Sequence, residues 1–134
     1  MKPAQFVKEV HNLFSNSFLY TVDNERPEVD ASQKANRKFK ALLKSLFPDC
    51  EIEVGKNTFC YSYGYVKKDG HSVYINFEDY RDSLKYFPWD KNLLIRTADP
   101  EGKTRDGSNH NITDINRLQA EVYALLKVEH RPAF

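Results

Sequence analysis

The sequence predicts an α+β fold: a central antiparallel sheet of about 3–5 strands, with N-terminal helices and a C-terminal helix packed mainly on one face. Three observations predict it. Apolar residues recur at helical spacing up to Leu46, the period drops to two from Glu51, and helical spacing returns after Thr113.

Pro3 suits the first turn of a helix, and Phe6, Val10, Leu13 and Phe14 then share one face up to "SNS". "FLYTV", Phe18 to Val22, reads equally as an extension of that helix or as a short strand. "DNERPE" reads as a loop. In the second helix Asp30 and Gln33 have capping-box spacing. Ala35, Phe39, Leu42, Leu43 and Leu46 form its apolar stripe, with Arg37, Lys40 and Lys44 opposite and Lys34 and Lys38 flanking. Pro48 ends it, because the residue before a proline avoids the helical region.

"EIEV" then alternates, "GKN" turns, and "TFCYSYGYV" alternates again. Asp69-Gly70 is a strong hairpin signal, since both central residues of a type I′ turn take positive φ. "VYINFEDY" follows as a strand. "FPWDKN" reads as a loop, "LLIRTA" as a strand, and "DPEG" as a turn with proline second and glycine fourth. "KTR" reads as a short edge strand and "DGSNHN" as a loop. The last helix is expected from about Thr113 to Lys127, with Ile115, Leu118, Val122, Leu125 and Leu126 as its stripe. The tail from about residue 129 reads as loose.

The 134 residues suit one domain, 1–134, and are enough to bury a core. Hydrophobic residues at 40% and charged residues at 29% describe a globular chain. A formal net charge of +1 confines any nucleic-acid role to a local patch. Cys50 and Cys60 have no CxxC spacing, and His11, His71, His110 and His130 no metal-ligand spacing, so neither metal nor cofactor is expected. "MKPAQFVKEVHNLF" is broken by charged residues and is not read as a signal peptide. No apolar run is long enough for a membrane span, so a cytoplasmic location and no membrane contact are expected.

Two-residue closure at Asp69-Gly70 pairs Lys68 with His71, Val66 with Val73 and Tyr65 with Tyr74. One face then carries Phe59, Tyr61, Tyr63 and Tyr65 opposite Tyr74, Asn76, Glu78 and Tyr80. The other carries Cys60, Ser62, Gly64 and Val66 opposite Val73, Ile75, Phe77 and Asp79. The second is low in relief and suits close-packed helices. The first combines apolar rings with polar tips, which suits a surface that is wet until a partner arrives, but equally suits a half-covered layer.

Tyr63-Gly64-Tyr65-Val66 fits the core of the RNP1 strand of an RRM. The preceding basic-glycine pair is absent, Lys68 stands for the final aromatic, and a hairpin follows where that fold enters a helix, so the family is not assigned. Asn111-Ile112-Thr113 matches a glycosylation pattern that has no meaning without a secretory signal.

The leading expectation is a small non-enzymatic binding protein that engages another macromolecule, most often a protein, through the tyrosine face or adjoining loops. Its binding residues are Tyr61, Tyr63, Tyr65, Tyr74, Asn76, Trp89, Arg96, Arg105 and His110. Compact chains of this size without a catalytic signature are common among accessory and inhibitor proteins of phages and mobile elements, and a homodimer is also compatible. A second expectation is single-stranded nucleic-acid binding by the tyrosine face with Lys34, Arg37, Lys40 and Lys44 on phosphates. A third is a small enzyme centred on His110 with Arg96 and Arg105.

Overall fold

The computed structural model describes residues 1–17, 27–56, 58–81, 93–99, 110–129 and 131. The elements run α1 (Pro3–Ser17), α2 (Pro27–Leu46), β1 (Glu51–Val54), β2 (Ser62–Lys68), β3 (His71–Phe77), β4 (Leu93–Ala98), β5 (His110–Thr113) and α3 (Leu118–Leu125). The five strands form one antiparallel sheet in sequence order, β1-β2-β3-β4-β5. "FLYTV", "FPWDKN", "KTR" and most of "DPEG" and "DGSNHN" fall outside the described residues.

The β2–β3 register is the expected one. Lys68 pairs with His71, Val66 with Val73 and Tyr65 with Tyr74. Asp69 (φ 52) and Gly70 (φ 78) take the positive φ values that a type I′ turn demands.

α2 begins at Pro27, four residues before the start that an N-cap at Asp30 would give. It thus takes in Pro27 and Glu28, which read as the end of the loop "DNERPE", and proline suits this first turn. Asp30 therefore sits inside the helix, and its carboxylate pairs with Lys34 at 3.0 Å. β2 begins later than expected, because Cys60 adopts φ 60, a conformation no strand contains. Both backbone groups of Cys60 are satisfied there. Its N–H donates to the buried Ser32 hydroxyl at 2.8 Å, and its carbonyl accepts from the Tyr80 N–H at 2.7 Å. Phe59 and Tyr61 consequently flank a kink rather than continue a strand.

β3 correspondingly ends at Phe77, and Tyr80 is turned out of the tyrosine face into the core. Its ring packs on Phe77, Phe14 and Phe6 at 5.3, 5.6 and 6.3 Å. β5 occupies His110–Thr113, where turn formers suggested a loop and a helix start. The Asp114 carboxylate accepts from the Asn116 and Arg117 N–H groups at 2.9 and 3.0 Å, shaping the turn from which α3 starts at Leu118.

Phe6, Val10 and Phe14 of α1 and Ala35, Phe39, Leu42 and Leu43 of α2 are fully buried. They meet the inward row of the sheet, Val66, Val73, Ile75, Phe77, Leu93 and Ile95, and α3 adds Leu118 and Val122 to the same cluster. Phe39 meets Phe77 edge-on at 5.7 Å, and Phe47 beyond α2 meets Tyr123 of α3 at 5.3 Å. All three helices thus build one core on one face of the sheet.

Candidate functional site: the tyrosine face

Alternation along β2 decides what the opposite face carries. Ser62, Gly64 and Val66 are buried toward the helices, so Tyr63, Tyr65 and Lys67 project the other way. The rings form a connected chain. Tyr61 and Tyr63 stack at 6.3 Å with planes 19° apart, Tyr63 and Tyr74 lie 6.0 Å apart, and Tyr74 and Tyr65 lie 5.4 Å apart. All are within the range at which aromatic pairs attract beyond simple burial. Lys67 adds its ammonium 6.0 Å from the Tyr65 ring centre.

Exposure divides the row. Tyr61 is 37% exposed and Phe59, beside it, 46%. Tyr63 and Tyr65 are half-buried. Tyr74 is only 1% exposed and cannot touch a partner, which corrects its expected role. It is the hub beneath the row, and its hydroxyl accepts from the Asn76 side-chain amide at 3.0 Å.

Tyr63 depends on a glycine. Its ring lies across the Gly55 backbone, and a Cβ at that position would stand 2.2 Å from the Tyr63 Cζ. Gly55 also donates its N–H to the Tyr63 carbonyl at 2.9 Å, holding the end of the strand against β2.

The register extends the face across the sheet. Glu51 and Glu53 pair with Lys67 and Tyr65, and Asn76 and Tyr74 pair with Leu94 and Arg96. Leu94 pairs in turn with Ile112, which is 47% exposed. Leu94, Ile112 and Glu53 were absent from the expected site. The alternation of "LLIRTA" puts Leu94 with Arg96, but the strand holding Ile112 is masked by the turn formers before it.

Arg96 and Asn76 are half-buried on this face, and position 110 is the β-ladder partner of Arg96. Trp89 and Arg105 lie outside the described residues. Of the expected His110 centre, the structure therefore brings together Arg96 and position 110.

The basic residues of α2 are placed elsewhere. Arg37, Lys40 and Lys44 are exposed on the side away from the apolar stripe that packs on the sheet. Lys34 is held by Asp30. The sheet lies between this helix face and the tyrosines, so a single strand that used both would have to wrap the domain. Nucleic-acid contact through either surface would proceed without the other.

A polar clasp joins the end of α2, the β2–β3 hairpin and α3. The Tyr123 hydroxyl donates to Asp49 at 2.5 Å, and the Lys68 ammonium pairs with the other oxygen of the same carboxylate. The Lys68 and Tyr123 hydrogen bonds hold the Asp49 carboxyl below the usual carboxylate range, while the carboxylate pushes Tyr123 and Lys68 up. Partial burial and the neighbouring Asp49 raise the Cys50 thiol. Each shift moves its group away from neutral pH, so Asp49 and Lys68 form a fixed ion pair there.

Among the described residues no cluster of His, Cys, Asp and Glu is arranged to hold a metal ion, and no helix is long and apolar enough to cross a membrane. Cys50 and Cys60 are not bonded to each other. Comparison with protein-family models, with curated proteins and with solved structures finds no match to this chain.

Proposed function

We propose that this chain is a non-enzymatic binding protein that engages another protein through the β2 side of the tyrosine face. The observation that supports this most is the row Tyr61-Tyr63-Tyr65: three partly exposed rings, Tyr63 and Tyr65 in the β2 ladder on the face opposite the helices and Tyr61 stacked on Tyr63 just before it. Tyrosine contributes large contact area with few rotatable bonds, and its hydroxyl, wet before docking, can find a hydrogen-bond partner once covered. Arg96 and the exposed Ile112 on the same sheet give the mixture of aromatic, arginine and aliphatic side chains in which binding energy concentrates. Size and type fit an accessory or inhibitor protein of a phage or mobile element, acting in a reducing cytoplasm where both thiols stay free.

The test is capture from an extract of the native host, with the wild type beside Tyr61→Ala and Lys40→Ala. One protein retained by the wild type and Lys40→Ala, insensitive to nuclease and lost with Tyr61→Ala, is the expected result. Nuclease-sensitive recovery would transfer the face to single-stranded nucleic acid, whose binding also falls steeply with salt.

A further inference from the structure

We infer that the outer edge of β1 takes up an extended segment of the partner as a sixth strand, and that this segment carries Lys or Arg on its tyrosine-face side. This rests on the protein-binding role proposed above and specifies the chemistry of the partner.

Among the described residues, the sheet order leaves β1 with a neighbour on one side only. The hydrogen bond from Gly55 N–H to the Tyr63 carbonyl fixes which backbone groups look inward. Counting back by two, Glu53 and Glu51 bond to β2, across from Tyr65 and Lys67. The N–H and C=O groups of Ile52 and Val54 therefore face outward, and no described residue bonds to them. These are the groups that an added strand pairs with. The edge is also held in shape, because the Asn36 side chain donates to the Gly55 carbonyl at 2.8 Å and ties the end of β1 to α2.

Charge selects the occupant. Glu51 and Glu53 are exposed on the tyrosine side, while Ile52 and Val54 lie half-buried toward the core. Lys67 pairs with Glu53 at 2.5 Å, and no described cation pairs with Glu51. Glu51 is thus the carboxylate left without a described cation beside the aromatic row, and Glu53 next to it is shared with Lys67. A strand laid about 4.8 Å from β1 puts every second side chain beside these carboxylates. Basic side chains are attracted there and acidic ones repelled. A second copy of β1 is a poor occupant, because pairing Ile52 with Val54 of that copy sets Glu53 directly opposite Glu53.

The test uses a blocked heptapeptide of alternating Lys and Val, with a Glu-for-Lys version as control. Amide exchange read by NMR is expected to slow at least tenfold at Ile52 and Val54 with the basic peptide at millimolar concentration, and to stay unchanged with the acidic one. No slowing, or equal slowing by both, overturns the inference. Val54→Pro removes an outward N–H that the β1–β2 ladder does not use, a substitution edge strands tolerate. It should abolish the effect at Ile52, while Val54→Ala retains it. Should Val54→Pro not fold, the wild-type exchange result still decides. A host partner kept by Val54→Pro but lost with Tyr61→Ala would sink the added strand and leave the tyrosine face standing. The opposite pattern would sink the face and leave the edge.

Discussion

Gly55→Ala tests how the tyrosine row is held. Gly55 does not have the positive φ that would bar alanine, so its backbone tolerates the change. The obstacle is the Tyr63 ring, whose Cζ and Cε1 atoms would lie 2.2 and 2.3 Å from the new Cβ. Carbon atoms rest about 3.5–4.0 Å apart, so the ring must retreat by more than ~1 Å. Forced overpacking costs about 1–3 kcal/mol. Tyr63 is half-buried and able to turn outward, giving up its contacts with Tyr61 and Tyr74, which places the expected loss near the low end, about 1–2 kcal/mol. In a Tyr63→Ala background the obstacle is gone. Gly55→Ala should then stabilise the fold by about 0.4–1 kcal/mol, because alanine restricts the unfolded chain. The sign therefore reverses between backgrounds. Urea melts of the four proteins measure it. An equal loss in both backgrounds would refute the account of the ring lying on the glycine.

Three further outcomes are expected. Phe39→Ala and Leu118→Ala should each cost about 2–5 kcal/mol by leaving a cavity, and Lys40→Ala less than about 0.5 kcal/mol, in the same melts. The Asp49 carboxyl is held below its unfolded value, so it contributes stability above about pH 4 that is lost as pH falls through the folded value. The advantage of the wild type over Asp49→Asn in thermal melts should thus be full at pH 6 and shrink below pH 4; an advantage independent of pH would contradict the clasp. Iodoacetamide without reductant should modify the half-buried Cys50 of the native protein before Cys60, which is 1% exposed, and both after denaturation. Mass spectrometry reads the order, and a thiol pair left unmodified in denaturant would show a disulfide.

The parts of this fold legible in the sequence are those fixed by neighbours along the chain. Asp69-Gly70 sets the turn, a two-residue turn sets the register, and register with alternation sorts the tyrosines from the helix-facing residues. The stripes of the helices follow from spacing in the same way. The misjudged parts depend on residues far apart in sequence. Cys60 leaves the strand because Ser32, 28 residues earlier, and Tyr80, further on, satisfy its backbone in an otherwise disfavoured conformation. That kink ends the β3 alternation and sends Tyr80 into the core. Burial of Tyr74 likewise follows from its place in the sheet interior, between β2 and β4. Pro27 did carry a local signal, since proline suits a first helical turn, but Asp30 offered a competing N-cap three residues on. In the site, the β2 row was readable, whereas Ile112 needed β5, whose four residues carry little strand signal of their own.

The most direct measurement is the effect of Tyr61→Ala on both folding and binding. Tyr61 is the most exposed ring of the row and lies outside the strand ladder, so its truncation should cost about 1 kcal/mol or less in urea melts. The same substitution should lower the affinity for the protein captured from the host at least tenfold, with little dependence on salt. Full binding by a folded Tyr61→Ala protein would contradict the tyrosine face as the docking surface.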